Sequence, residues 1–337
     1  MKVDMVKSNT VDKPFARRVS VIIPAYDAAN FLELALDSVL AQTITDIEVI
    51  VVDDASNDAT LEVAYRVAAR DPRVRVLHNE RNCGPAVSRN RAMDAARGEW
   101  IALLDADDTW SPERLEKMLS VVNDADVVSD DVQMYIVNGS LSALGKPKSW
   151  RFLSQKGLAV TRPRELSILE FARLDLGLLK PILRRSFLQR HRLRYNPDLK
   201  HGDDDFHLYF EMLASGARWL QLPSAYYFYR WYSGSISRNS LENAQDVIKS
   251  NEILLDHPAV TTNKALAAVI ENRLQEWQTY LAYHTILGLL RQRRFVNLAR
   301  LLFEHPSYYS LFGKNIIKGL KRRVIWQIRK ERAGKDL

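Results

Sequence analysis

From residue 19 the hydrophobic positions alternate between two rhythms. "VSVIIPAY" is a β-branched run stopped by Pro24, and bounded apolar runs of roughly four to eight residues read as strands. "ANFLELALDSVLAQ" then places Phe31, Leu34, Ala35 and Val39 on one helical face. "IEVIVVDDAS" is a second apolar strand ending in Asp53 and Asp54, "TLEVAYRVAARD" a second helix and "RVRVLHN" a third strand. "GPAVSRNRAMDAARG" predicts a third helix, with Pro85 near its start and Gly98 beyond its end, where each is favoured. "WIALLD" is a fourth strand, Ser111-Pro112-Glu113 the capped start of the next helix, and "ADVVSDD" a fifth strand.

Strands this continuously apolar are covered on both faces, which predicts a parallel sheet in an α/β fold. Ligands of such open sheets sit beyond the carboxyl ends of the strands. The unusual polar residues collect there: Pro24 and Tyr26, Asp53 and Asp54, Asn82 to Gly84, and Asp105, Asp107 and Asp108. Residues 137–163 have weak periodicity and read as loop and crossing segments. "ELSILEFARLDLG" reads as helix, and "DDDFHLYFEMLASGARWLQLPSAYYFYRWYSGSIS" as helix, turn at Gly216, strand and an aromatic-rich loop. From about Leu241 the chain reads as helix to its end.

Composition narrows this only a little. The chain has 337 residues and a formal net charge of +7, which permits nucleic acid, an anionic membrane surface or phosphorylated substrates and selects none. Its one cysteine, Cys83, allows no intrachain disulfide and no cysteine metal cluster, and fits a reducing compartment. No apolar run approaches the roughly 18–20 residues that span a bilayer, and the start "MKVDMVKSNTVDKPFARR" has no apolar signal core. The expectation is a cytoplasmic protein with a flexible arm over residues 1–17.

The stretch "WIALLDADDTW" drives an apolar strand into three acids, although like charges repel and burial worsens it. Hard oxygen ligands suit Mg²⁺ or Mn²⁺, which are often held by one or two carboxylates plus substrate phosphates. In an extended segment Asp105 and Asp107 point the same way. The competing reading is a solvated acidic turn that caps the following helix. Asp53 and Asp54 are either base or ribose contacts or helix-start acids near Ser56 and Asp58. Tyr26 either stacks on a base or is an interfacial aromatic with one wet end. The coincidence of these residues at one sheet edge carries the functional reading.

The blocks "VSVIIPAYDAANFLELALDSVLAQTITDIEVIVVDDASNDAT", "NCGPAVSRNRAMDAARGEWIALLDADDTWSP" and "DDDF...GARWLQLPSAYYFYRWYSGSIS" together resemble the family 2 inverting glycosyltransferases, whose fold is GT-A. The first two blocks cover residues 19–119 and the third 202–237. Within the family the chain is most similar to bacterial exopolysaccharide glycosyltransferases of the succinoglycan type. The resemblance implies a GT-A domain over residues 18–238, with a nucleotide-sugar half at 18–131 and an acceptor half at 132–238, and a helical, basic region at 239–337. It implies a nucleotide-diphosphate sugar donor, a UDP-sugar above others, a glycan acceptor on a lipid carrier, and Mn²⁺ or Mg²⁺. Pro24, Tyr26 and Asp54 match positions that hold the base, with Asp53 beside them, and Gly84 sits in the loop closing over the nucleoside. Asp105 and Asp107 match the D-x-D pair, the first near the ribose and the second on the metal. Asp108 follows in support.

An inverting transfer needs a carboxylate that takes the acceptor proton. The family supplies it from a Glu-Asp pair opening a helix, where this chain has Gly202-Asp203-Asp204-Asp205-Phe206. A literal match makes Asp204 the base. Aligning backwards from "FHLYFEMLASGAR" makes it Asp205, the register preferred here because it keeps the helix phase. A triplet that only caps a helix is the structural alternative. Some relatives carry a histidine in "YRWYSGSIS" that approaches the metal or the diphosphate. Trp231 and Tyr232 stand there, so phosphate oxygens are expected to complete the metal shell. Arg230 and Ser235 are either phosphate or acceptor contacts or structural.

"GKNIIKGLKRRVIWQIRKERAGK" is a basic amphipathic stretch, read either as a contact with an anionic membrane surface or as a helix packed on its own domain. The resemblance favours the membrane. Nucleic acid is not expected, since no binding motif accompanies the charge. Cys83 reads as a small loop residue, and His78, His201 and His207 lack metal-ligand spacing. Trp277, Tyr280, Tyr283 and His284 at helical spacing read as core or interface. The competing functions are a nucleotidyltransferase, which needs a glycine-rich, lysine-bearing loop where this chain has "PAYDAANF", a receiver-type signalling domain, and an inactive relative that binds a nucleotide sugar.

Overall fold

In the computed structural model the described residues are 19–136, 146–231 and 241–304. They form two compact units: one takes the described residues up to 200 and from 204 to 231, the other 201–203 and 241–304.

The first unit begins with β1 (Val19–Ala25), α1 (Leu32–Leu40), β2 (Ile47–Asp53), α2 (Thr60–Arg70), β3 (Val74–His78), α3 (Pro85–Ala95) and β4 (Trp100–Leu103). β1 pairs in parallel with β2 on one side and β4 on the other, and β2 with β3. Both faces are covered, and every residue of β2 is buried. α1 buries Leu32, Ala35, Leu36 and Val39, an i, i+3, i+4, i+7 stripe. Leu34 is only half-buried because it lies nearly opposite that stripe, so the predicted face was one residue off at this position.

β5 (Thr109–Trp110) is a two-residue strand that the pattern did not predict. α4 (Arg114–Leu119) starts later than expected and has no side-chain cap. Ser111 donates to Glu113 instead (2.6 Å), and the Pro112 carbonyl accepts from Thr43 (3.0 Å), so these residues are fixed as a turn before the helix begins. β6 (Val127–Ile136), β7 (Lys146–Arg151), α5 (Phe152–Gln155), β8 (Arg164–Glu165), α6 (Ile168–Leu174), β9 (Ile182–Arg184), α7 (Arg185–His191), α8 (Asp204–Ala214) and β10 (Trp219–Trp231) complete the unit. The sheet runs β3-β2-β1-β4-β9-β6-β10-β5, with β7 on β6 and β8 on β10. It is parallel in its first half and mixed beyond β4, where β9 lies antiparallel to β4 and β6.

Two readings of residues 137–231 change. β7 and α5 occupy part of the span expected to be loop. The part of the expected aromatic-rich loop up to Trp231 is the second half of β10, which pairs with β6, and the rest of it, residues 232–237, lies outside the described residues. The register of β10 shifts around Pro223, which has no N–H to give the ladder, and then resumes. Cross-strand packing of aromatic residues suits a pleated surface, so tertiary pairing extends the strand through them.

The second unit is helical: α9 (Leu241–Leu255), α10 (Pro258–Thr261), α11 (Lys264–Arg291) and α12 (Phe295–Glu304). Asn263 caps α11 by accepting from Ala265 and Leu266. Trp277, Tyr280, Tyr283 and His284 are half-buried along α11 and touch ring to ring, Tyr280 and His284 at 4.2 Å. No helix among the described residues is long and apolar enough to cross a membrane. The basic stretch at 313–335 lies outside the described residues.

Candidate active site

Strand order places the site. From β1 the sheet grows through β2 to β3 in one direction and through β4 in the other, so β1 and β4 flank the switch point where open α/β sheets bind ligands. β1 pairs with β4 only as far as Ile22 and Leu103, yet with β2 as far as Ala25 and Asp53. Pro24 lies where β1 has left β4 and no ladder donor is needed on that side. The sheet is therefore split beside Tyr26 and Asp105.

On the β1–β2 side the loops are tied to each other. Asp27 accepts from Asn57 N (2.7 Å), Asp27 N donates to Ser56 (3.1 Å), and Asn57 donates to the Tyr26 hydroxyl (3.2 Å). Asp27 and Ala55 both adopt left-handed backbone (φ 47° and 59°), unusual for side-chain-bearing residues and concentrated at this edge. Tyr26 is 41% exposed and presents its ring. Asp53, opposite Ala25 at the end of β2, and Asp54 after it are buried. Asp53 Oδ2 lies 2.9 Å from His78 Nδ1. Asp54 accepts from Asn79 Nδ2 (2.6 Å), Cys83 N (3.0 Å) and Gly84 N (2.7 Å), which folds residues 79–84 back over the strand ends. Gly84 holds this turn at φ 87°, a conformation that only glycine adopts cheaply, and opens α3.

The acids at the β4 end meet those at the start of α8. Arg89, on the buried face of α3, donates to Asp105 Oδ1 (2.7 Å) and to Asp204 Oδ2. Lys180, between α6 and β9, pairs with Asp105 Oδ2 (2.9 Å) and donates to Asp205 Oδ2. Two cations thus cross-link three carboxylates from two distant parts of the chain. Burial alone would raise Asp105, but the charges of Lys180 and Arg89 hold it below the usual carboxylate range. Burial pushes Asp204 up to about 6, with Arg89 opposing and Asp205 adding to the rise. The Tyr209 hydroxyl approaches Asp205 Oδ1 at 3.4 Å. Asp203, the third acid of the triplet, belongs to the helical unit, where it pairs with Arg273 at left-handed backbone (φ 67°).

Asp107 makes no ion pair among the described residues. Burial, then the charge of Asp105, push it up to about 6. Asp108 is fully enclosed and accepts from the Tyr227 hydroxyl and Arg230 N, both at 2.7 Å, pinning the acidic turn to β10. Burial and the charges of Asp107 and Asp105 push Asp108 well above the carboxylate range. No group of three or more His, Cys, Asp or Glu among the described residues is placed to hold a metal by itself. Both Asp105 oxygens already face cations. The donor set therefore fits a divalent ion held by Asp107 together with diphosphate oxygens, the arrangement typical of Mg²⁺-type sites.

Arg89 and Lys180 were not singled out from the sequence. Each left a faint signal: Arg89 sits on the helix face with Ser88, Ala92 and Met93, and Lys180 is the lone charge in "LGLLKPIL". Arg114 left the same signal. It is fully buried, pairs with Asp130 (2.8 Å), stacks over Trp110 and Tyr227, and donates to the Lys180 carbonyl.

The family model described as glycosyl transferase family 2 matches residues 20–172. The chain is 37% identical to the succinoglycan biosynthesis protein ExoO of Rhizobium meliloti, over 90% of this chain and 86% of that protein. It is 29% identical to the succinoglycan biosynthesis protein ExoU of the same organism, over 86% and 84%. Among solved structures it resembles S. aureus TarS 1–349 in complex with UDP-GlcNAc, with a TM-score of 0.60 at 19% identity over 86% of this chain and 92% of that one. It also resembles a mannosyltransferase from Pyrobaculum calidifontis in complex with GDP-Man and Mn²⁺, with a TM-score of 0.55 at 19% identity over 90% and 80%.

Proposed function

The chain belongs to glycosyltransferase family 2 and has the GT-A fold, and from that premise we propose that it moves a sugar from a UDP-sugar to a glycan hydroxyl in the assembly of a surface polysaccharide. The observation that carries the reading is the meeting of Asp105, Asp204 and Asp205 at the switch point of the sheet. In this reading Asp105 is the donor-side carboxylate and Asp204 and Asp205 the acceptor-side pair, which a single in-line displacement needs close together. The names of the succinoglycan relatives support the polymer, and the nucleotide-sugar complexes of the structural neighbours support the donor class.

In this reading Tyr26 and Pro24 form the wall for the base. Asp53, Asp54 and Gly84 shape the loops around the nucleoside, and Asp105 faces the ribose side. Asp107 would hold Mn²⁺ or Mg²⁺, which when bound neutralises charge on the departing diphosphate. Asp205 takes the acceptor proton as the hydroxyl attacks, leaving UDP and an inverted linkage without a covalent enzyme intermediate. Its side chain is 12% exposed against 8% for Asp204, so it is the more open of the two to an acceptor. The acceptor is a lipid-carried glycan at a cytoplasmic membrane face, approached through the basic carboxyl-terminal stretch.

The test is Asp205→Asn beside Asp204→Asn, with UDP binding by calorimetry and UDP release from a panel of UDP-sugars. Asp205→Asn should bind UDP as the wild type does and lose at least ~100-fold in kcat. Wild-type turnover in that variant, with loss in Asp204→Asn, would move the base to Asp204.

A further inference from the structure

We propose that Lys180 is a positioning residue for the transfer, fixing the acceptor-side Asp205 against the donor-side Asp105. The inference rests on the assignment of Asp205 as base and adds a residue which that assignment does not include.

Lys180 is 5% exposed, and an ammonium group is expensive to bury without partners. Its two carboxylate partners stand at opposite ends of the reaction. Asp105 lies two residues beyond the end of β4, and Asp205 is in the first turn of α8. The charges of both carboxylates outweigh the burial that would otherwise favour neutral lysine, and its affinity for the proton rises. It therefore stands between them as a permanent cation.

The rest of the segment is built to hold that ammonium still. The Lys180 carbonyl accepts from Arg114, which the buried Asp130 carboxylate fixes in turn. Pro181 follows, restricting Lys180 to extended backbone. Leu176 and Leu179 are fully buried on the approach. At Gly177 a Cβ would come within 2.8 Å of Phe206 Cβ, so a glycine lets this segment lie directly on the first turn of α8, where Asp205 sits. Arg89 joins Asp105 to Asp204 but reaches Asp205 Oδ1 only at 3.8 Å. The bond that sets the distance between the donor side and the base thus belongs to Lys180. Displacing a reacting group by about 1 Å costs on the order of 100-fold in rate, so this link should appear in turnover and not in donor affinity.

The experiment compares wild type, Lys180→Met, Asp205→Asn and the double variant as full-length chains. UDP affinity with Mn²⁺ is read by calorimetry, kcat by UDP release from the UDP-sugar that the wild type turns over best, and folding by the melting transition. Lys180→Met should keep UDP affinity within about threefold and lose on the order of 100-fold in kcat. The double variant should be no slower than Asp205→Asn alone, because Lys180 acts through that carboxylate. If Lys180→Met does not give folded protein, Lys180→Gln, which keeps a donor but not the charge, decides by the same readings. Wild-type kcat in the neutral variant, loss of UDP affinity in step with kcat, or additive losses in the double variant would overturn the inference. An Asp205→Asn variant with wild-type turnover would instead overturn the base assignment on which it rests.

Discussion

Asp107, the residue proposed to hold the metal, carries a cost in stability. Its carboxyl, ordinarily near 3.8, is pushed up to about 6 by burial and by Asp105. Between about pH 4 and 6 the folded chain therefore binds a proton that the unfolded chain has released, so this group's contribution to stability falls as pH rises through that window. Above about 6 the full penalty is present. Asp107→Asn should accordingly stabilise the metal-free protein by about 1–2 kcal/mol at pH 7.5, and by less at pH 5, in urea titrations. The same variant should lose the gain in UDP affinity that Mn²⁺ gives the wild type over EDTA-treated protein. Equal affinity with and without Mn²⁺ in the wild type would remove the ligand role from Asp107.

At the scale of elements, the acidic turn is held by what lies behind it. Arg114 on α4, Asp130 on β6 and the aromatic rings of Trp110 and Tyr227 form a buried knot that joins α4, β5, β6 and β10. Asp130 also accepts from Tyr226 N at 2.9 Å, tying β10 to β6 next to the register shift. Arg114→Met would leave Asp130 buried without its cation and should cost about 3–5 kcal/mol in chemical denaturation. Adding Asp130→Asn removes that stranded charge, so the double variant should recover part of the loss. A single variant as stable as wild type would show that the knot is not needed to hold the sheet. The short β5 exists because β10 pairs with it, which explains why no pattern in "DTW" predicted a strand.

Across the whole molecule the charge is unevenly spread. Residues 291–337 hold thirteen Lys or Arg against three Asp or Glu, a net +10, so that in a chain of +7 the first 290 residues carry −3. Such a concentration at one end suits an anionic surface, and each basic residue near an acidic bilayer contributes about 1 kcal/mol at moderate salt. Full-length protein should sediment with vesicles containing phosphatidylglycerol at 0.1 M salt, not with pure phosphatidylcholine vesicles, and should come off as salt rises. Changing Lys321, Arg322 and Arg323 to Gln in the full chain should weaken that binding about tenfold or more while leaving UDP affinity unchanged. Binding indifferent to lipid charge and salt would count against the membrane reading.

The sequence by itself determined the α/β rhythm, the strands β1 to β4, the helices between them and the family. Those features are local: a period of two or 3.6 residues, a proline or glycine at a boundary, and motifs contiguous in the chain. It also marked Tyr26, Asp54, Gly84, Asp105 and Asp107 as belonging to one edge, because in a parallel sheet every strand carries its carboxyl end to the same side. Only the tertiary structure decided the order of β5 to β10, since strand pairing across long separations leaves no period in the sequence. It alone brought Arg89 and Lys180 between the acids. A buried cation and its partners are chosen by where desolvated charges meet in space, and Lys180 lies 75 residues after Asp105 and 25 before Asp205. The acidic cluster was legible from the chain; the two cations that balance much of its charge became visible only on folding.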